Sequence, residues 1–153
     1  MMDILTQKTV QVGVTSTDKL NAIRQAGQLL VEAGYVAPAY VEGMLAREET
    51  MSTYIGNGVA IPHGKFEDRE IIYNTGISVV QFPEGVLWNE DEDEDEVAYL
   101  VIGIAATSDE HMGILTNLAE VLEDEEAAAQ LAQTTNPEEI IQRLNRPQEA
   151  EEA

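Results

Sequence analysis

The chain has 153 residues, 44% of them hydrophobic, with no cysteine and only two histidines. This length fits one domain with its own core, and the lack of cysteine excludes disulfides, thiolate nucleophiles and cysteine-ligated zinc. With 29 acidic against 8 basic residues the formal net charge is −21, which makes nucleic acid and anionic lipid poor partners.

The first ten residues, MMDILTQKTV, lack the basic segment and apolar run of a secretory signal. No apolar stretch approaches the roughly 20 residues of a membrane span. We therefore expect a cytoplasmic monomer with no direct insertion into a membrane. Only three residues are lysines against 29 acidic ones, and such a surface suggests a high-salt cytoplasm, where screening relieves self-repulsion.

The amino-terminal third predicts one strand and two helices. Residues 8–14 (KTVQVGV) are short and partly alternating, which is typical of a strand. Residues 16–34 have helical periodicity, and either Thr17 or Asp18 can cap the start of that helix. A second helix is predicted over residues 37–49, which carry apolar residues at helical spacing.

The middle of the chain predicts strands separated by loops. A short strand is expected at Val59–Ile61. Residues 76–82 (GISVVQF) and 97–105 (VAYLVIGIA) are apolar and rich in β-branched residues, as in buried strands of a sheet that is covered on both faces. Between them, residues 89–96 (NEDEDEDE) cannot bury themselves and predict a solvated loop.

The carboxy-terminal third predicts helices. Residues 108–123 form a strong apolar stripe, and Thr107 and Glu110 match a capping box at the start of that helix. Residues 124–133 are either a short separate helix or an extension of the first, and 136–146 are the last helix. Strands therefore alternate with helices, which predicts an α/β fold with a mixed sheet between helices.

One histidine stands in an unusual local sequence. The stretch YIGNGVAIPHGK surrounds His63 with three glycines and a proline. Pro62 restricts the approach to the ring, and Gly64 lets a partner's backbone or an anion come close. The alternative is an ordinary surface histidine in a turn, and the local residues leave the two interpretations open.

Two other residues are candidates for the same chemistry. His111, in the first turn of a helix, either completes an apolar face or lies beside free amides that bind anions. Arg47, at the end of the second helix, is either a cation at a helix carboxyl end or a planar clamp for phosphate oxygens. Two histidines, an arginine and a glycine loop together suggest transfer through a phosphohistidine, because imidazole serves as nucleophile and as leaving group.

No nucleotide-binding loop of the form G-x-x-x-x-G-K-[ST] or G-x-G-x-x-G is present. If a phosphoryl group arrives at this site, another protein must therefore bring it. With two histidines and no H-E-x-x-H spacing, no metal site and no cofactor are predicted.

The stretch STYIGNGVAIPHG (52–64) resembles the phosphorylation-site motif of the mannitol/fructose-type enzyme IIA proteins of the bacterial phosphotransferase system, and most closely the mannitol type. The resemblance continues in order and spacing over about residues 3 to 145. Its further blocks are AIRQAGQLLVEAGYV (22–36), MLAREE (44–49), FPEGV (82–86), LVIGIAA (100–106) and EHMGILTNLAEVLEDEE (110–126).

The resemblance implies a function. Such proteins accept a phosphoryl group from the phosphocarrier protein HPr on the histidine of the PHG motif, here His63 as a tele-phosphohistidine. They pass it to a cysteine of enzyme IIB in the membrane permease, and the sugar is phosphorylated during uptake. The second site histidine falls on His111, which would orient the phosphoryl group, and the site arginine falls on Arg47, which would clamp it.

The resemblance also completes the structural expectation. It implies a mixed, mostly parallel five-stranded sheet flanked by helices on both faces. Residues 1–146 would form a single enzyme IIA-type phosphocarrier domain, and residues 147–153 a disordered acidic tail.

Two alternatives stay open beside this prediction. The nitrogen-type enzyme IIA proteins share the fold and the AIPH stretch, but they signal by their phosphorylation state and feed no sugar. From another class, residues 90–96 could form an acidic cation-binding module, although they lack the glycine and the spaced ligands of a calcium loop. The acidic loop is unusual for the family, and it touches none of the motif residues.

Overall fold

A computed structural model describes residues 5–16, 18–90, 95–106 and 108–145. Side chains are described over these ranges except at positions 66, 67, 69, 108–112, 115 and 145. The helices are α1 Lys19–Glu32, α2 Ala39–Thr50, α3 Ser108–Leu122, α4 Glu125–Gln133 and α5 Pro137–Asn145, and short 3₁₀ segments cover Gln7–Thr9 and Phe66–Ile71. The strands are β1 Val10–Gln11, β2 Tyr54–Gly56, β3 Val59–Ala60, β4 Gly76–Asn89 and β5 Glu96–Ala105.

The five strands form one mixed sheet in the order β1-β4-β5-β3-β2. β1 pairs with β4 and β3 with β5 in parallel, whereas β4 pairs with β5 and β2 with β3 in antiparallel fashion. The prediction of an α/β fold with a mixed five-stranded sheet is therefore confirmed. The prediction that the sheet is mostly parallel holds only in part, because two of the four strand pairs are parallel and two are antiparallel.

The connection between β4 and β5 explains why these two central strands are antiparallel. Only residues 90–95 separate the two strands, and a parallel pair needs a crossover of about a dozen residues or more. The strands must therefore run in opposite directions, and they pair from Gly76 with Ala105 to Asn89 with Glu96. The acidic stretch thus lies in a hairpin connection, of which residues 91–94 fall outside the described residues.

Helices cover both faces of the sheet, as predicted. Side chains alternate between the two faces along each strand, and the apolar ones on each face are buried against helices. Val79 pairs with Ile102 and Val80 with Val101. The first pair belongs to a buried cluster shared with α3, α4 and α5, and the second to a cluster shared with α1 and α2. The result is a three-layer arrangement with two apolar cores, one on each face.

The predicted element bounds differ from the structure mainly among the strands. The predicted first strand shortens to β1, whereas β4 extends seven residues beyond Phe82, the predicted end, to Asn89. Asp18 caps α1, because its side chain accepts from the Asn21 amide at 2.8 Å. Thr17, the other candidate cap, lies outside the described residues, as does Thr107.

The segment after α3 is a separate helix. Asp124 caps α4 by accepting from the Glu126 amide at 2.9 Å, so the chain leaves helical geometry between the two helices. The predicted acidic tail, residues 147–153, lies outside the described residues and stays a prediction. Among the described helices, none is long and apolar enough to cross a membrane.

Candidate functional site

The topology brings two of the predicted site segments to one edge of the sheet. His63 follows β3 and forms an isolated parallel bridge with Ile104, one residue before the end of β5. α3 begins at Ser108, directly after β5. Because β3 and β5 are parallel, their carboxyl ends meet at the same edge, which is where open α/β sheets place ligands.

His63 is half-buried, and its ring orientation is set by its own chain. The distance from His63 Nδ1 to the carbonyl oxygen of Ile61 is 2.9 Å. A carbonyl oxygen can only accept a hydrogen bond, so Nδ1 must carry the proton. In the neutral ring the nucleophilic lone pair then lies on Nε2.

The backbone on either side of His63 is tied to Ile104. The Ile104 amide donates to the Pro62 carbonyl at 3.0 Å. The Gly64 amide donates to the hydroxyl oxygen of Tyr40 at 3.0 Å, and that hydroxyl donates to the Ile104 carbonyl at 2.7 Å. His63 is therefore held at the sheet edge through both of its chain neighbours.

Tyr40 lies in the first turn of α2 and is 2% exposed. Burial raises its pKa to about 12, against a lowering by the Gly64 hydrogen bond and a further raising by the charge of Asp68. The Asp68 carboxylate accepts from the Lys65 amide at 2.8 Å. Sequence reasoning missed both side chains, because nothing near Tyr40 in the chain marks it as a neighbour of His63.

Gly64 has a packing role that the sequence did not reveal. A Cβ at Gly64 would lie 2.6 Å from Cε1 of the Tyr40 ring, closer than any real contact. Gly64 is thus needed because the Tyr40 ring lies directly against the backbone, and its predicted role of letting a partner or an anion come close stays a prediction.

The other glycines of the motif belong to a hairpin. Asn57 and Gly58, at φ 53° and 77°, form the two-residue turn between β2 and β3, the combination typical of a type I′ turn. The Asn57 amide group donates to the carbonyls of Leu122 and Glu123 at 2.9 and 3.1 Å. This turn therefore fixes β2 and β3 against the end of α3, and it lies at the opposite end of β3 from His63.

Arg47 lies at the carboxyl end of α2, where its Nη1 donates to the Met51 carbonyl at 2.8 Å. This is the helix-terminal arrangement that the sequence analysis weighed against a phosphate clamp. The next residue, Glu48, is buried and accepts from the Thr53 amide and the Trp88 indole, each at 3.1 Å. The structure thus fixes this end of α2 and directs the guanidinium of Arg47 to its own chain.

His111 lies in the first turn of α3 by its backbone, at the edge that carries His63. Its side chain is outside the described residues, so its orientation stays a prediction. Among the described side chains, no group of three or more histidine, aspartate or glutamate residues could hold a metal ion.

A cavity of about 720 Å³ lies away from this edge. Gly58, Val97 and Tyr99 line it. Gly58 directly precedes β3, and Val97 and Tyr99 lie near the start of β5. His63 follows the opposite ends of these strands, so the cavity is not part of the candidate site.

Residues 3–146 match the family described as phosphoenolpyruvate-dependent sugar phosphotransferase system, EIIA 2. The chain belongs to this EIIA family. The predicted family and the predicted class of activity, a phosphotransferase, are thereby confirmed.

Two curated relatives are longer than this chain. The chain is 49% identical over 136 residues to a multiphosphoryl transfer protein of Escherichia coli O157:H7, covering 89% of this chain and 35% of the relative. It is 45% identical over 138 residues to a mannitol-specific EIICBA component of Pasteurella multocida, covering 90% and 22%. The chain thus spans only about a third or less of these relatives.

Two solved structures share the EIIA fold. The crystal structure of the mannitol IIA of Escherichia coli has a TM-score of 0.84 and 42% identity, covering 91% of this chain and 97% of that one. The IIA chain in the complex of enzyme IIA and phosphorylated enzyme IIB for mannitol, also from Escherichia coli, has a TM-score of 0.84 and 41% identity, covering 91% and 95%.

Proposed function

We propose that this EIIA domain is the phosphoryl carrier of a sugar phosphotransferase system for mannitol or a fructose-like sugar. It accepts a phosphoryl group from phosphorylated HPr on His63 and passes it to a cysteine of enzyme IIB. The observation that carries the proposal is the hydrogen bond from His63 Nδ1 to the Ile61 carbonyl at 2.9 Å, which leaves the lone pair on Nε2. The solved complex of a similar IIA chain with phosphorylated enzyme IIB supports the choice of partner.

In the first transfer the phosphoryl group passes from the imidazole of the donor to the imidazole of His63, with the two ring nitrogens in line with the phosphorus. Nε2 of His63 attacks the phosphorus of the donor phosphohistidine, and the bond from phosphorus to the donor nitrogen breaks as the new bond forms. In the second transfer a cysteine thiolate of enzyme IIB attacks the same phosphorus, and His63 Nε2 leaves with its electron pair. The protein contributes mainly position and charge stabilisation in both steps.

The retained proton on Nδ1 suits both steps. As Nε2 bonds to phosphorus, positive charge develops on the ring, and the Ile61 carbonyl, at 2.9 Å from Nδ1, stabilises that charge by accepting the hydrogen bond. The same contact fixes the tautomer and the ring orientation. His63 therefore needs no separate general base to become nucleophilic.

His111 and Arg47 have supporting roles in this proposal. His111 would orient the phosphoryl oxygens from the start of α3, with backbone amides of the first turn beside it. Arg47 would bind the phosphoryl group transiently, for which its guanidinium must leave the Met51 carbonyl. Replacing His111 by alanine should slow transfer without unfolding the protein, and unfolding would instead favour its interpretation as a core residue.

The proposal is tested by reconstitution with phosphoenolpyruvate, enzyme I and HPr. We expect one acid-labile phosphoryl group on the wild-type chain and none on His63→Ala. The phosphorylated chain should then transfer its label to the enzyme IIB of a mannitol system. Labelling of His63→Ala at another residue would refute the assignment of the acceptor.

The nitrogen-type regulatory protein remains the alternative. It would also be phosphorylated on His63, but it would not transfer the group to an enzyme IIB cysteine. The mannitol-specific name of a 45% identical relative favours the sugar function. Absence of transfer to any sugar-specific enzyme IIB, with His63 fully phosphorylated, would favour the regulatory function.

A further inference from the structure

Two tyrosines make the same pair of hydrogen bonds at opposite ends of β5. The Gly64 amide donates to Tyr40 at 3.0 Å, and the Tyr40 hydroxyl donates to the Ile104 carbonyl at 2.7 Å. The Gly58 amide donates to Tyr54 at 3.2 Å, and the Tyr54 hydroxyl donates to the Val97 carbonyl, also at 3.2 Å. In each case one phenol hydroxyl connects a glycine amide to a β5 carbonyl.

The two pairs differ in what they hold. Val97 and Ile104 are seven residues apart on β5, which corresponds to about 23 Å along an extended strand. Only the Tyr40 pair lies at His63, since Gly64 follows His63 and Ile104 is its bridge partner. The bridge between His63 and Ile104 aligns the Gly64 amide with the Ile104 carbonyl as in a parallel ladder, and the Tyr40 hydroxyl bonds to both of these groups.

We propose that Tyr40 is a positioning residue for phosphoryl transfer, because its hydroxyl fixes the backbone of His63 relative to β5 and to the start of α3. The inference rests on the proposed function of His63. Tyr40 acts through Gly64 and Ile104, and it does not take part in the bond exchange. In-line transfer between two side chains depends steeply on their placement, so this tie should affect the rate more than the affinity.

The surroundings of Tyr40 suit this role. The ring is buried and lies directly against Gly64, where a Cβ would clash with it. A pKa of about 12 keeps the phenol protonated throughout the neutral range, and it can therefore always donate to the Ile104 carbonyl. Asp68 provides a second tie on the same segment by accepting from the Lys65 amide at 2.8 Å.

The test compares Tyr40→Phe with Tyr54→Phe, the matched control at the other end of β5. Both variants keep the ring and lose the hydroxyl. We expect kcat for phosphorylation by phosphorylated HPr to fall about 10- to 100-fold in Tyr40→Phe, with KM for HPr within about twofold of wild type. Tyr54→Phe should keep the wild-type kcat and KM.

A second readout separates positioning from simple loss of stability. Ring nitrogen NMR of His63 should show the Nδ1–H tautomer in the wild type and in Tyr54→Phe, and a mixture of tautomers in Tyr40→Phe. Both measurements are made at a temperature at which circular dichroism shows each variant fully folded. If Tyr40→Phe does not fold, Asp68→Ala replaces it, and it should lower kcat in the same direction because it removes the tie at Lys65.

Three outcomes would overturn the inference. These are a Tyr40→Phe variant with wild-type kcat and tautomer, an equal loss of kcat in Tyr54→Phe, or a rise in KM that accounts for the whole effect. If Asp68→Ala is used instead, a wild-type kcat in that variant would also overturn the inference. Failure of the proposed function would look different, since the wild-type chain itself would then carry no phosphoryl group on His63.

Discussion

At the residue scale, His63 depends on contacts that lie both near and far in the chain. The contact of its ring with Ile61 is local, only two residues back at 2.9 Å, although the sequence did not predict it. The contact with Tyr40 joins residues 24 positions apart through Gly64. Such a tie arises from the packing of α2 against the sheet, which no local motif encodes.

The ionisation of Tyr40 gives the first prediction. The folded protein holds the phenol proton at a pKa of about 12, and the unfolded chain at about 10. The resulting stabilisation is complete below pH 10 and is lost as the pH rises through 12, amounting to about 3 kcal/mol. Urea unfolding at a series of alkaline pH values should show this loss of unfolding free energy in wild type and a smaller loss in Tyr40→Phe. An equal fall of the unfolding free energy with pH in both proteins would contradict the prediction.

Arg47 gives the second prediction. Its hydrogen bond to the Met51 carbonyl is exposed, so Arg47→Ala should lower the free energy of unfolding by less than about 1 kcal/mol. If Arg47 clamps the phosphoryl group during transfer, the same change should slow transfer about 10- to 100-fold. Single-turnover transfer and urea unfolding measure the two effects.

A neighbouring arginine controls for loss of positive charge in this acidic chain. Arg24 on α1 forms an exposed ion pair with Glu42 at 3.7 Å, and Arg24→Ala should leave the transfer rate unchanged. An Arg47→Ala variant that transfers at the wild-type rate would show that Arg47 serves only the end of its helix.

At the element scale, the elements themselves were largely predictable and their pairing was not. The apolar runs at 76–82 and 97–105 became β4 and β5, and the helices of residues 16–49 and 108–145 formed close to the predicted bounds. The extension of β4 to Asn89 escaped prediction, because Pro83 and Gly85 interrupt the strand pattern. The predicted bounds leave residues 83–96 between the two strands, which is long enough for a crossover, so the antiparallel pairing follows only once β4 is known to reach Asn89.

The β2–β3 hairpin shows the same limit. Asn-Gly between two short apolar segments is a strong hairpin signal, yet no hairpin was predicted here, and these glycines were considered only as part of the surroundings of His63. That Asn57 also holds the end of α3 at 2.9 and 3.1 Å could not be predicted, since it depends on where α3 returns to the sheet.

The third prediction separates the two roles of Asn57. Asn57→Gly keeps the freedom to adopt a positive φ but loses the hydrogen bonds to α3, which should cost about 1 kcal/mol. Asn57→Ala loses both and should cost about 2 kcal/mol, because alanine is strained at φ 53°. Urea unfolding gives both values, and equal losses would show that turn strain contributes nothing.

At the scale of the whole molecule, charge dominates the surface. The formal net charge of −21 makes self-repulsion a significant term against the compact state. The described ion pairs include Lys19 with Glu48 and Arg24 with Glu42. The two apolar cores must therefore stabilise the fold against this repulsion.

The fourth prediction follows from that charge. Added KCl screens the repulsion between surface carboxylates, so the melting temperature should rise as KCl increases from low to molar concentration. Thermal unfolding monitored by circular dichroism measures it, with a neutral osmolyte such as sucrose as the control for general solvent effects. A melting temperature that is flat or falls with salt would reject adaptation to a high-salt interior.

The phosphorylated nitrogen of His63 tests the central claim most directly. The chain is labelled with nitrogen-15 in its histidines, phosphorylated with phosphoenolpyruvate, enzyme I and HPr, and studied by phosphorus–nitrogen coupling in NMR. Since the Ile61 carbonyl holds the proton on Nδ1, we predict one phosphoryl group, coupled to Nε2 of His63. Coupling to Nδ1, or to a nitrogen of His111, would contradict the account.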